Sequence, residues 1–299
     1  MQIHIHIGVH KTATTYMQNT LHENRGKLRA AGIGYISLWE LRQMFTESFM
    51  DFVPGEFKIE QLLPKFFDRN VPANIRGLII SEENLIGYCG GLLLSGYPFA
   101  NAHARLTHLR ALLSGHDITM FCAIRSYDSF LSSAYCEGIR NTQQFVAFED
   151  FKDRLQWAKL QWPYLIQRFE ECLAPDRAFL WRYEDFRQNS GRILDALTFN
   201  AGIDLSPPSG KNAEYVSFSQ TTVAALEAMA RAIGAPEASK LIDATANAYP
   251  KGETYPAFEP WTPAEEKLLR KLYKSDCQSI DPGKWLLNNM VKSQLSEVA

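Results

Sequence analysis

Residues 2–15 have the sequence QIHIHIGVHKTATT, and this stretch decides the fold prediction. Isoleucines alternate with polar side chains up to Gly8, a pattern typical of a β-strand over residues 3–7. Lys11 follows in a short loop, and threonines then open a helix that we predict over residues 13–31. N–H groups at a helix N-terminus and the helix dipole favour a bound anion. The stretch therefore predicts a strand, a phosphate-binding loop and a helix.

Downstream of this unit, short apolar runs alternate with helical patterns. Residues 78–80 and 118–124 are continuous apolar runs of the kind found in strands buried on both faces. Alternating strands and helices predict a parallel sheet with helices on both faces, which is a three-layer α/β fold. The other elements that we predict are strands over residues 35–38 and 178–181, and helices over residues 38–52, 57–70, 100–113, 128–138 and 157–173.

The composition changes at Ser206, where prolines and a glycine form a loop and mainly helical patterns follow. We find no internal repeat in the sequence. We therefore interpret residues 1–299 as one domain, with an α/β core over residues 1–205 and a helical extension over residues 206–299. Helices of the extension are predicted over residues 221–233, 236–246 and 263–274.

The composition is that of an ordinary globular protein, with 46% hydrophobic and 21% charged residues. A net charge of −2 gives no global basic field, so we predict no nucleic-acid partner and expect a local cation cluster to hold any anion. No apolar stretch reaches the roughly 20 residues that a membrane helix needs. Five cysteines without a C-x-x-C pair indicate a reducing compartment. We predict a cytoplasmic protein without a membrane span, whose oligomeric state the sequence leaves open.

Polar side chains follow three of the predicted strands at the points where those strands end. His10 and Lys11 follow the first strand, Glu82 and Glu83 follow the second apolar run, and Arg125 follows the third. In parallel sheets, ligands collect at the carboxyl ends of the strands. We therefore expect these side chains to lie in one pocket, with Lys11 and Arg125 on a single ligand.

A second motif begins at Arg125 and ends at Ser133, eight residues later on the next predicted helix. The planar fork of arginine suits a phosphate monoester, and a serine hydroxyl can complete the cradle. The alternative is a strand-end arginine that forms an ion pair with Asp128.

The segment His10-Lys11-Thr12-Ala13-Thr14-Thr15 resembles the 5′-phosphosulfate loop of sulfotransferases that use 3′-phosphoadenosine 5′-phosphosulfate (PAPS), whose bacterial members carry His-Lys-Thr-Gly-Thr-Thr. Arg125 and Ser133 are similar to the 3′-phosphate-binding element of that family. The resemblance covers about residues 3–212 and includes Ser81-Glu82-Glu83-Asn84-Leu85 and Arg182-Tyr183-Glu184-Asp185-Phe186.

Two positions depart from the family pattern. Ala13 stands where the family has glycine, and we expect a negative φ there because the loop leads directly into a helix. Tyr127 stands where many members have proline. Neither departure removes a side chain that the resemblance implies as a ligand.

The resemblance implies a P-loop-like nucleotide fold that uses PAPS as the donor, releases adenosine 3′,5′-bisphosphate (PAP) and needs no metal. Lys11 would offset charge on the leaving oxygen, and Glu83, or alternatively Glu82, would take the proton from a hydroxyl or amine acceptor. The acceptor would be a saccharide, a lipid or a small metabolite. The residues implied to bind the donor are His10, Lys11, Thr12, Ala13, Thr14, Thr15, Arg125 and Ser133.

Other interpretations of these residues stay open at this point. A P-loop kinase that uses ATP and magnesium is the first, although its motif needs a glycine directly before the lysine, and Val9-His10 precede Lys11. The second is a non-catalytic nucleotide-binding or scaffold protein. Glu82 and Glu83 can alternatively cap the helix that follows them.

The histidines of the first strand could suggest a metal site and the tryptophans a binding surface, but we interpret both as packing residues. His4 and His6 share a strand face without a nearby cysteine or carboxylate to complete a metal site, so we predict no metal. We expect His6 to be packed and hydrogen-bonded, and His10 to lie near the substrate. The tryptophans that we expect in the core are Trp157, Trp162 and Trp181.

Overall fold

The computed structural model describes residues 1–37, 75–97, 99, 102–209 and 217–287. Its centre is a five-stranded sheet in the order β2-β3-β1-β4-β5, and every neighbouring pair is parallel. The predicted α/β fold with a parallel sheet is confirmed. The helices predicted over residues 38–52 and 57–70 lie outside the described residues. The strands are β1 Gln2–Ile7, β2 Ile33–Ile36, β3 Gly77–Ser81, β4 Asp117–Ile124 and β5 Arg177–Arg182.

Helices follow the strands and continue through the extension. Short 3-10 turns lie at Glu83–Leu85 and Pro282–Lys284. None of the helices in the described ranges is long and apolar enough to cross a membrane. The α-helices are α1 Thr14–Glu23, α2 Arg25–Ala30, α3 Cys89–Ser95, α4 Ala102–Leu112, α5 Tyr127–Thr142, α6 Phe148–Arg154, α7 Trp157–Leu160, α8 Trp162–Leu173, α9 Tyr183–Leu197, α10 Gln220–Ile233, α11 Ala235–Ser239, α12 Ile242–Ala248 and α13 Pro263–Ser279.

Side-chain alternation along β1 separates two apolar cores, because successive residues of a strand point to opposite faces. Ile3, Ile5 and Ile7 belong to the larger core, which includes residues of α3, α4, α5 and α8. His4 and His6 lie on the other face, whose core draws on α1, α2 and α9. Helices therefore cover both faces of the sheet.

The described helices of the extension share the larger core with the sheet. Phe218, Leu226 and Leu269 are buried in the same apolar cluster as the isoleucines of β1. Asn24 adds a polar tie, since its Nδ2 donates to the carbonyl of Ser206 at 2.8 Å and its Oδ1 accepts from the Ser206 N–H at 3.0 Å. The two sequence regions are thus packed together.

Two of the predicted helices are each divided in the structure. Asn24, at φ −97°, separates α1 from α2 within the predicted helix 13–31, because its side chain is hydrogen-bonded to the backbone of Ser206. Gln161 is extended and separates α7 from α8, where Pro163 occupies the first turn. Proline is tolerated there because the first N–H groups of a helix have no intrahelical partner.

Candidate functional site

The loop after β1 is held by its own side chains. A Cβ added at Gly8 would lie 2.1 Å from Thr14 Oγ1, so this close approach of α1 to the strand end requires glycine. The Thr12 hydroxyl is fully buried and donates to the carbonyl of Val9. Thr12 therefore shapes the loop with its side chain and leaves only its backbone N–H for a ligand.

Lys11 and Ala13 both adopt the left-handed backbone region, with φ of 67° and 64°. The expectation of a negative φ at Ala13 is wrong, because the loop must turn once more before α1 begins. Left-handed backbone costs a residue with a Cβ roughly 1–2 kcal/mol. Left-handed residues next to ordinary ones turn successive N–H groups toward a common point, which is an anion-binding geometry.

The N-terminus of α1 presents unused donors to this loop. Among the described residues, no side chain caps it, and Ala13 holds the N-cap position. Thr14 is only 5% exposed, and its Oγ1 has no hydrogen-bond partner within the described ranges. Thr15, by contrast, is exposed. A buried hydroxyl and free helix N–H groups together favour an anionic ligand.

Arg125 extends from the end of β4 to this same loop. Its Nη1 donates to the carbonyl of Lys11 at 2.6 Å, and its Nε donates to Ser129 Oγ at 2.9 Å. The guanidinium lies 4.5 Å above the ring of Tyr183. Burial lowers the pKa of Arg125, and neighbouring Tyr183 and Glu184 oppose that shift. The predicted proximity of Lys11 and Arg125 is thus present.

Asp128 does not serve as the counter-ion of Arg125 proposed in the alternative interpretation. Its carboxylate accepts from Arg270 Nε at 3.0 Å and from the hydroxyl of Ser126. Ser133 is half-buried on α5, four residues beyond Ser129. The face of α5 that begins beside Arg125 therefore continues to Ser133.

Lys11 forms an ion pair with a residue that the sequence analysis missed. Its Nζ donates to Glu137 Oε2 at 3.4 Å, and Arg140 Nη1 lies 3.9 Å from the same oxygen. Glu137 stands four residues after Ser133, so the two share one helix face with Ser129. That spacing of four was visible in the sequence and is the signal that could have identified Glu137.

The two candidate proton acceptors differ in their surroundings. Glu82 is fully buried, and its Oε1 accepts from the Asn84 N–H at 2.9 Å, so it caps the 3-10 turn. Glu83 is half-buried, and its Oε2 accepts from Gln18 Nε2 at 2.9 Å. Gln18 also donates to the Ser81 carbonyl at 3.1 Å. Glu82 therefore belongs to the cap, and the carboxylate of Glu83 is the more accessible of the two.

His10 lies between these charged side chains. Its Nε2 donates to the Gly87 carbonyl at 2.7 Å, which ties the loop after β1 to the segment after β3. Burial lowers the pKa of His10, while Glu83 and Glu137 act in the opposite direction. The site thus gathers His10, Lys11, Glu83 and Glu137 around the loop.

Side chains from other elements fix the turn that carries Arg125. Trp162 Nε1 donates to the Arg125 carbonyl at 2.8 Å. The Ser126 N–H donates to Glu184 Oε1 at 2.9 Å, and Tyr273 of α13 donates to the other oxygen of that carboxylate at 2.8 Å. The position of Arg125 therefore depends partly on the helical extension.

A second set of bonds joins the same turn to α13. The Tyr127 hydroxyl donates to Asp276 Oδ2, and the Trp162 N–H donates to that oxygen at 3.0 Å. Trp261 Nε1 donates to the Asp128 carbonyl at 2.8 Å. The sequence predicts none of these pairings, because the contacts span more than 100 positions.

His6 and the three tryptophans expected in the core follow the predictions, with one exception. His6 is fully buried and its Nδ1 bonds Ser81 Oγ at 2.8 Å, as predicted, while its Nε2 has no partner among the described residues. Trp162 and Trp181 are buried as predicted. Trp157 is 41% exposed, so the core prediction is wrong for it.

The fold and site define an α/β protein with a parallel sheet and a cationic loop at its strand ends. Across the described ranges, no group of three or more histidine, cysteine, aspartate and glutamate side chains is placed to hold a metal ion. No protein-family model, no curated protein and no solved structure matches this chain.

Proposed function

We propose that this protein is a PAPS-dependent sulfotransferase with a P-loop-type sheet. The observation that carries the proposal is the contact between Arg125 Nη1 and the Lys11 carbonyl at 2.6 Å, where β4 and β1 end side by side. Two cationic side chains in adjacent loops suit a ligand with anionic groups at both ends, as PAPS has.

The described residues fit such a donor. Lys11, the Thr14 hydroxyl and the N–H groups of α1 would hold the 5′-phosphosulfate, because Thr14 Oγ1 is buried without a partner in the described chain. Arg125 and Ser133 would hold the 3′-phosphate. His10 would keep the loop in place through Gly87.

When bound, the donor supplies the sulfuryl group, whose sulfur–oxygen bond to phosphate breaks as the acceptor oxygen or nitrogen bonds to sulfur. Lys11 offsets negative charge at the leaving oxygen, and losing one such contact typically costs about 10²–10³-fold in rate. Glu83 receives the acceptor proton, and Gln18 keeps its carboxylate oriented. The acceptor class is a saccharide, a lipid or a small metabolite with a hydroxyl or amine.

The proposal includes a cytoplasmic location. All five cysteines are free thiols, and four of them are buried. Free thiols persist where the environment is reducing.

A thermal-shift experiment tests the donor class. PAP without metal should stabilise the protein by about 2.7 kcal/mol at one hundred times its dissociation constant. ATP with magnesium, at the same concentration, should give a much smaller shift. Stabilisation by ATP and magnesium alone would favour the kinase and contradict the proposal.

Two substitutions test the site assignment. Lys11→Ala should abolish sulfuryl transfer without unfolding the protein, and Arg125→Ala should mainly weaken PAP binding, since each removes a charge from a different end of the site. Transfer is measured with labelled PAPS on an acceptor library, and PAP binding by calorimetry. The matched controls are the exposed Lys267→Ala and Arg231→Ala. Wild-type behaviour in both site variants would rule out the assignment.

A further inference from the structure

We propose that Glu137 is a positioning residue that holds Lys11 before the anionic donor binds and sets how tightly that donor binds. The inference rests on the proposed function for its ligand, whereas the contact between the two side chains stands independently of it. Glu137 Oε2 lies 3.4 Å from Lys11 Nζ.

The surroundings make this ion pair stronger than a surface pair. The side chains of Lys11 and Glu137 are 21% and 17% exposed, so water screens their attraction only partly. The Lys11 backbone is fixed separately, because Arg125 bonds its carbonyl and its φ is 67°. The lysine side chain is therefore the part that can exchange between Glu137 and a ligand.

Glu137 has a second cation within reach when Lys11 turns to a ligand. Arg140 Nη1 lies 3.9 Å from Glu137 Oε2, and the Arg140 guanidinium lies 4.8 Å from the ring centroid of Phe218. The carboxylate would thus keep one positive neighbour after Lys11 leaves. This arrangement lowers the cost of the exchange, because an unpaired, partly buried carboxylate would be unfavourable.

An anionic ligand must compete with Glu137 for Lys11 and is also repelled by its charge. Removing the charge should therefore tighten binding of the anionic ligand by about tenfold, the effect of one partly screened contact. A proton-accepting Glu137 would behave differently. Its removal would reduce the rate of transfer without changing ligand affinity.

The first experiment needs no nucleotide. Acetylation of Lys11 by an N-hydroxysuccinimide ester, followed by mass spectrometry at a fixed pH, reports how firmly Glu137 holds the ammonium. Glu137→Gln should raise the Lys11 acetylation rate several-fold. Glu171→Gln, which removes the partner of Arg168 at 3.4 Å outside the site, should leave it unchanged. An unaltered Lys11 rate in folded Glu137→Gln, as judged by its melting curve, would overturn the proposal.

The second experiment is a double-mutant cycle with PAP as the probe. Glu137→Gln should tighten PAP binding about tenfold in the wild-type background and clearly less in a Lys11→Ala background, where only the direct repulsion between the carboxylate and the ligand remains. An equal effect in both backgrounds, or none in either, would overturn the proposal. If no variant binds PAP, the sulfotransferase proposal fails, while the acetylation rates still decide whether Glu137 positions Lys11.

Discussion

Ala13 holds a backbone conformation that glycine adopts without strain. Its φ of 64° follows a left-handed Lys11, and the fully buried Thr12 lies between them. Strained backbone of this kind persists only where neighbouring contacts over-determine it. Here those contacts are the bonds from Thr12 to Val9 and from Arg125 to the Lys11 carbonyl. The loop is therefore held in shape before any ligand binds.

Ala13→Gly should stabilise the protein by about 1 kcal/mol. The substitution removes the cost of a left-handed backbone at alanine, roughly 1–2 kcal/mol. Part of this gain is offset because glycine increases the conformational entropy of the unfolded chain. Urea denaturation measures the change. Ala228→Gly, at an exposed position within α10, should instead destabilise by about 1 kcal/mol. Equal losses in the two variants would show that Ala13 is unstrained.

Single residues of the site were predictable where their chemistry is explicit. Lys11, Glu83 and Arg125 could be predicted because each is a charge within four residues of the end of an apolar run. The positive φ of Ala13 could not, because alanine carries no signal for it. Glu137 was missed since a lone glutamate within a helix is ordinarily a solvated residue.

At the scale of elements, β1 places two histidines inside a core. Burial lowers the pKa of His4 to about 4, although its bond to the Leu197 carbonyl opposes the shift, and burial lowers the pKa of His6 to about 3. His4 also stacks on Phe199, with ring centroids 3.7 Å apart. Both histidines are therefore neutral in the folded strand at neutral pH.

The histidines of β1 should make folding sensitive to acid. Below pH 6.5 the unfolded chain protonates His4 while the folded chain does not, so stability is complete above pH 6.5 and falls as pH drops toward 4. His4 alone should lower the free energy of unfolding by about 2 kcal/mol at pH 5, relative to its value above pH 6.5. His4→Asn, which keeps a donor for Leu197, should reduce the slope of the pH dependence measured by urea denaturation by about half, because His6 contributes over the same pH range.

The matched control for that prediction is His22→Asn, at an exposed position on α1. It should retain the wild-type slope between pH 6.5 and 4. Identical slopes for wild type and His4→Asn would show that His4 is not the group responsible.

Strands were easier to predict than helix ends. Apolar runs located β3, β4 and β5 to within a residue, because the inner residues of these strands are mostly apolar. β2 lies two residues earlier than predicted. The divisions at Asn24 and Gln161 depend on tertiary contacts and the following proline, which outweigh local helical periodicity.

At the scale of the whole molecule, the extension supports the nucleotide site proposed above. Tyr273 and Asp276 of α13 bond to groups that hold the turn after β4, one through Glu184 and one through Tyr127. Removing either bond should displace Arg125, although neither bond involves Arg125 itself. A helix distant in sequence should thereby affect the affinity of the proposed site.

Asp276→Ala should cost about 2 kcal/mol of stability, because the buried Tyr127 hydroxyl loses its acceptor. It should also weaken PAP binding by about tenfold, since Arg125 loses its fixed position. Denaturation and calorimetry measure the two effects. Asp276→Asn, which retains an oxygen acceptor, should recover most of both. A destabilised Asp276→Ala with wild-type PAP affinity would show that α13 does not position Arg125.

The helical extension is predictable from the sequence, whereas its contacts are not. The bonds from α13 to the Arg125 turn join residues separated by more than 100 positions, and no local pattern encodes such pairing. The apolar faces of α10 and α13 are visible as periodicity, whereas the partner of each face becomes known only from the structure.

The sheet order has a consequence for synthesis on the ribosome. β1 is made first, yet its two neighbours are β3 and β4, so one of its edges stays unpaired until residue 81 has left the exit tunnel and the other until residue 124 has done so. At roughly 5–20 residues per second, that wait is on the order of ten seconds. An isoleucine-rich segment is then open to aggregation or to capture by chaperones. The yield of native protein should therefore depend on chaperones that bind the nascent chain during that interval.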